Sequence, residues 1–158
     1  MDSNRWQVIL ALVCFAVILM SSGAVLWMFF WPRLKVLATA TVGETVVRVE
    51  VAASPGARAR GLSGHAPLAA DEGMIFIFPE AGWPSFWMKG MRFPLDIIWI
   101  NDNRVVEVTA DVPTPSGSGS LPLYAPKEPA DKALEVPAGF ARANDVALGD
   151  LVRIEIVP

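Results

Sequence analysis

The chain has 158 residues, 13 Lys plus Arg against 16 Asp plus Glu, a net charge of −3 and one cysteine. No run of Lys or Arg follows residue 35, so the basic footprint that nucleic-acid binding requires is missing. A single cysteine, Cys14, excludes an internal disulfide, and the length allows one domain beyond an N-terminal segment.

That segment comes first. Trp6 to Trp31 is a run of 26 residues without a charge, flanked by Arg5 and by Arg33 and Lys35. As a helix it would extend roughly 39 Å at ~1.5 Å per residue, more than a hydrocarbon core of ~30 Å demands. Trp6, Trp27 and Trp31 sit near its ends, where indole rings favour the headgroup region. A cleaved signal peptide, with Ser22-Gly23-Ala24 as the cleavage site, is the competing reading. The apolar run continues from Val25 to Trp31, which favours an uncleaved transmembrane anchor in residues 1–32. Its flank charges, Arg5 against Arg33 and Lys35, favour a cytoplasmic domain by one charge.

Beyond Pro32 the pattern becomes short and alternating. Val36–Thr41 and Thr45–Val51 read as strands about a turn at Val42-Gly43-Glu44, with Val47, Val49 and Val51 on one face. Ser54-Pro55 opens a short helix, Ser as N-cap and Pro in the first turn, reaching Leu62. Gly73–Phe78 and Leu95–Ile100 are apolar on both alternating faces, as strands covered on both sides are. Between them Phe86–Lys89 alternates as a further strand. Asp102-Asn103 is a two-residue hairpin turn leading into Arg104–Ala110. Asp111 to Asp131, with five prolines and a Ser-Gly run, reads as a mobile loop or lid; Leu121, Leu123 and Tyr124 pin its return leg. Lys132–Val136 is a strand, Ala138–Ala143 a helical turn, and Leu151–Val157 closes the chain with Val152, Ile154 and Ile156 inward. The expected domain, residues 33–158, is mainly β: a small antiparallel barrel or closed sandwich with one short helix, preceded by a single transmembrane helix.

Arg60-Gly61-Leu62, Gly73–Phe78, Phe86-Trp87-Met88-Lys89, Pro94–Ile97, Leu134-Glu135-Val136 with Gly139, and Gly149-Asp150 follow one another in a familiar order. From Val46 to Ile156 the chain resembles the bacterial and archaeal family known as domain of unknown function 192. The resemblance implies a compact, mostly β domain, often exported or tethered by an N-terminal hydrophobic segment, and it implies no activity. This chain departs from the pattern at Gly90-Met91, where Asn-Thr is common, and at His65, where Arg is frequent. A function that needs a side-chain amide at position 90 would be missing here. The family's usual placement, together with a domain free of cysteine, sets the expectation of an inner-membrane, single-pass protein with its domain facing the periplasm or exterior.

Candidate chemistry is sparse. His65 is the sole histidine, so no zinc site and no Ser–His pair has support, and a surface histidine in a Gly-rich loop is the ordinary reading. An oxygen-only cation site from Asp71, Glu72 and Asp111 competes with plain solvated loops, and no metal or other cofactor is expected. Asp96 shares a face with Ile98 and Ile100 and is expected to be partly buried, with Lys89 its nearest cation across the Gly90–Pro94 link. Glu135 points away from Leu134 and Val136 and is placed on the same rim. Trp83 and Trp87 could stack on a planar ligand. Lys89, Asp96, Glu135, Trp87 and Trp83 are therefore the ligand-binding candidates. Two functions fit: a membrane-anchored binding or accessory module for a small molecule or protein, and a hydrolase-like enzyme using the Asp/Glu/Lys cluster. The first is the expectation.

Overall fold

The computed structural model describes residues 36–116 and 119–157. The proposed anchor and the tip of the Ser-Gly run lie outside the described residues. Residues 35–158 form one compact unit, and no helix among the described residues is long and apolar enough to cross a membrane.

Seven strands build a single sheet. β1 (Leu37–Val42) and β2 (Thr45–Ala52) form an antiparallel hairpin turned at Gly43. α1 (Pro55–Arg60) follows, capped by Ser54, whose Oγ accepts the Ala57 N–H at 3.2 Å. β3 (Glu72–Gly82) then returns beside β2 in the parallel sense, Arg48 opposite Glu72 and Ala52 opposite Phe76. β4 (Leu95–Asn101) and β5 (Arg104–Val112) are the second hairpin. Its turn residues Asp102 and Asn103 both have positive φ, 49° and 65°, as a two-residue turn of the primed type requires. β6 (Ala130–Pro137), α2 (Phe140–Ala143) and β7 (Val152–Ile156) complete the order β5-β4-β6-β3-β2-β1-β7.

Two features differ from the all-antiparallel barrel expected of the sequence. The β2–β3 pair is parallel because residues 53–71, carrying α1, are long enough for a crossover. The sheet is also not closed. β5 and β7 meet through one isolated bridge, Arg104–Leu151, and a few backbone hydrogen bonds at their first residues. β7 is five residues long and its ladder is to β1, while its contact with β5 ends after these first residues.

Covering both faces gives two apolar layers. Ile75, Ile98, Ile100, Leu134, Val136 and Phe140 share one with the β1–β2 valines. Met74, Phe76, Ile97, Trp99, Met88 and Phe93 share the other, under α1. The alternation follows from strand geometry: neighbouring residues in β3, β4 and β6 project to opposite sides. Trp99 is fully buried, and its indole N–H donates to Thr109 Oγ1 at 2.9 Å, so no polar group is stranded. At Gly73 a Cβ would lie 2.7 Å from the Glu135 carbonyl oxygen, so any side chain there would push β3 off β6.

The run Phe86–Lys89 is not a strand. Only Phe86 pairs, in a two-way backbone bridge with Tyr124 (N···O 2.8 and 2.9 Å). Pro84 and the positive φ of Gly90 bound it too closely for a ladder. The same bridge fixes the return leg of the loop, which is shorter than expected because β5 runs to Val112 and β6 starts at Ala130. Of the three apolar residues expected to pin that leg, Tyr124 packs on the second layer whereas Leu123 is exposed. Ile156 is exposed as well, since β7 lies at the sheet edge.

Candidate functional site

The second layer is interrupted by one carboxyl. On β6, Glu135 lies opposite Met74 of β3 and Ile97 of β4, so it projects from the face that carries Phe76, Trp99 and Met88. It is 6% exposed, and no described side chain or backbone group gives it a hydrogen bond or ion pair. Burial alone pushes its pKa up from 4.5 to about 8, because an ionised carboxylate there would lose its hydration without compensation.

Glu135 lies in a cleft of about 650 Å³. Phe76, Phe78, Phe86 and Trp87 supply its aromatic walls, and Ser63 and Ser85 add hydroxyl groups. Phe86 is the hub: its ring meets Phe76 edge-on at 4.7 Å and Trp99 at 5.3 Å between centroids, a preferred geometry for aromatic pairs. Three cations complete the lining. Arg58 donates to the carbonyls of Ala53 and Ile77 and lies 5.6 Å over the Phe78 ring, so its guanidinium braces the wall. Lys89 sits 5.5 Å over the exposed Trp87 ring, and Arg60 stands at the last turn of α1. Gly90, at φ +72°, closes one side with its carbonyl accepting the Gly64 N–H at 3.0 Å.

Of the candidates taken from the sequence, Lys89, Trp87 and Glu135 are therefore brought into one cleft. Asp96 is not. It pairs with Val136 across the ladder and so points to the opposite face from Glu135. It is fully buried, and its partners are backbone: Oδ1 accepts the N–H groups of Asp111 (2.8 Å) and Gly139 (3.1 Å), and Oδ2 that of Ala141 (2.9 Å). It ties β5 and the start of α2 to β4 and has no ion pair with Lys89. The expected Lys89–Asp96 pair is thus replaced by a structural carboxylate on one face and a cation–aromatic contact on the other. Two acids on opposite sides of a sheet cannot flank one scissile bond, so Asp96 and Glu135 do not form the expected hydrolytic pair. Trp83 does not line the cleft either; it is 66% exposed and its indole donates to the Lys127 carbonyl at 3.4 Å.

The sequence reading missed Arg58, Phe76 and Phe78 as cleft residues. The strand alternation placed Phe76 and Phe78 on one face, but the crossover that sets α1 over that face left no local signal. Among the described residues no group of three His, Cys, Asp or Glu side chains could hold a metal. Asp71 and Glu72 are engaged by Arg48 at 3.1 and 3.4 Å, and Asp111 by Arg142 at 3.4 Å.

Residues 37–154 match the family domain of unknown function 192, described as "Uncharacterized ACR". No match was found among curated proteins. The fold is similar to that of a provisional transcription regulator from Sinorhizobium meliloti 1021, with 26% identity, a TM-score of 0.68, and coverage of 77% of this chain and 97% of that one. It is also similar to a protein of unknown function from Novosphingobium aromaticivorans DSM 12444, with 30% identity, a TM-score of 0.66, and coverage of 75% and 84%.

Proposed function

The chain belongs to the domain of unknown function 192 family, and from that premise we propose that it is a small-ligand-binding module whose site is the aromatic cleft over Glu135. The observation that carries this reading is the unpartnered carboxyl on the cleft floor. Its strand neighbours are Met74 and Ile97, so packing alone would favour an apolar side chain there. A buried polar group that costs stability and satisfies nothing within the fold fits a role toward something that enters. The cleft has the size and the apolar lining of ordinary small-molecule sites.

The module is proposed to be carried on the cytoplasmic membrane by residues 6–31, with the domain facing outward. The uncharged run and the thiol-free domain support that placement. A reporter active only in the cytoplasm, fused after Pro158, should then be silent; strong activity would reverse the orientation. The regulator role ascribed to the Sinorhizobium protein is not carried over, because no run of Lys or Arg follows residue 35 to supply a basic footprint.

A fragment screen by ligand-observed NMR tests the site on the full chain in detergent. Hits should lose at least fivefold in affinity in Trp87→Ala, whose side chain is exposed enough to remove without harm to the core. An absence of hits, or hits indifferent to Trp87, would contradict the reading.

A further inference from the structure

The lining of the cleft also specifies its ligand, given that the cleft is a binding site. We propose that it takes a small organic acid with a ring-sized apolar body, its carboxylate on Lys89 and Arg60 at the rim and a hydrogen-bond acceptor at its far end facing Glu135. Charge comes first. In a chain whose acids outnumber its bases, this one surface collects Arg58, Arg60 and Lys89 and no acid except Glu135. Arg58 is committed to the Ala53 and Ile77 carbonyls. Arg60 and Lys89 form no ion pair among the described residues, so their charges are open to a ligand. A carboxylate between them would be neutralised where the protein supplies no counter-charge.

The floor asks for a different group. Glu135 is the one acid of the lining, held on β6 opposite Met74 and Ile97, and burial raises its pKa to about 8. Near neutral pH the floor thus presents an O–H donor, complementary to a carbonyl or ether oxygen. Phe76 and Phe86 line the cleft together with the exposed Trp87 ring beneath Lys89, and these aromatic surfaces favour a flat apolar body. The same lining argues against a cationic ligand. An alkylammonium would meet the aromatic faces it prefers but also three cations.

The probes are 4-acetylbenzoate, its neutral amide 4-acetylbenzamide and the cation 4-acetylbenzylamine, titrated calorimetrically into the full chain in nanodiscs at pH 6.5. The acid should bind at least tenfold more tightly than the amide, and the amine should not bind. Arg60→Gln with Lys89→Met should abolish the acid's advantage over the amide. Raising the pH to 9 should weaken the acid severalfold, and Glu135→Gln, which keeps a donor, should remove that dependence. Equal binding of acid and amide, or preference for the amine, overturns the acid while a Trp87-dependent amide keeps the cleft as a site. If none of the three binds but Trp87-dependent fragments exist, the acid alone falls. If no fragment binds either, both readings fall together.

Discussion

Asp96 and Glu135 stand on adjacent strands one register step apart, Asp96 opposite Val136 and Glu135 opposite Ile97. That single step sends the two buried carboxyls to opposite faces of the sheet, where they meet different fates. Asp96 is saturated by three backbone N–H donors, and Glu135 has none.

The first prediction concerns Asp96. Asp96→Ala strands three backbone donors in a partly to fully buried setting, at about 1–3 kcal/mol each before relaxation. A loss of about 3–5 kcal/mol in chemical denaturation is expected. Lys89→Met added to it should recover nothing, because Lys89 lies over Trp87 and not beside Asp96. Recovery in the double variant would show that the two charges interact after all.

Glu135 should make stability fall with pH. Its folded-state pKa of about 8 lies above its ordinary value of 4.5, so the folded state holds a proton that the unfolded state releases between those values. Stability is therefore full below pH 4.5, declines by about 1.4 kcal/mol per unit as pH rises, and levels off above 8. Glu135→Gln removes the decline and should be more stable than wild type by about 3 kcal/mol at pH 7. Urea midpoints measured from pH 5 to 9 report this directly; parallel curves for the two proteins would contradict a desolvated carboxyl.

Much of this arrangement was legible in the sequence. Ile98 and Ile100 gave the face of Asp96, Leu134 and Val136 turned Glu135 away from themselves, and Asp102-Asn103 gave the hairpin, but the shared rim expected for Asp96 and Glu135 does not exist. Alternation reports which side a residue faces, however, and not which strand lies beside it. That β6 inserts between β3 and β4 is a long-range choice, as is the parallel return of β3 onto β2. The partners of Asp96 were hidden for a further reason. They are main-chain groups at residues 111, 139 and 141, and a backbone N–H has no residue signature. Lys89 and Asp96 looked close because a short link joins them, yet proximity along the chain does not fix direction.

Gly90 provides a third prediction. Its φ of +72° is adopted readily by Gly, tolerated by Asn and strained for Ala. A Cβ would also come within 2.3 Å of Ser63 Oγ, an exposed hydroxyl that can rotate aside. Gly90→Ala should cost about 1–2 kcal/mol, and Gly90→Asn distinctly less. The residue common at this position in the family would then fit the same backbone, and the Gly here would leave the cleft wall lower on that side. Equal costs in thermal unfolding would refute the argument from φ.

The proposed function depends most directly on a desolvated, proton-carrying carboxyl of Glu135 in the cleft. A ¹³C carboxyl NMR titration, with Glu135→Gln identifying the resonance, measures it without reference to any ligand. A midpoint near pH 8 is the result expected from its burial. A midpoint between 4 and 5 would mean that the carboxyl is solvated or paired, and the cleft would lose the feature from which its function was argued.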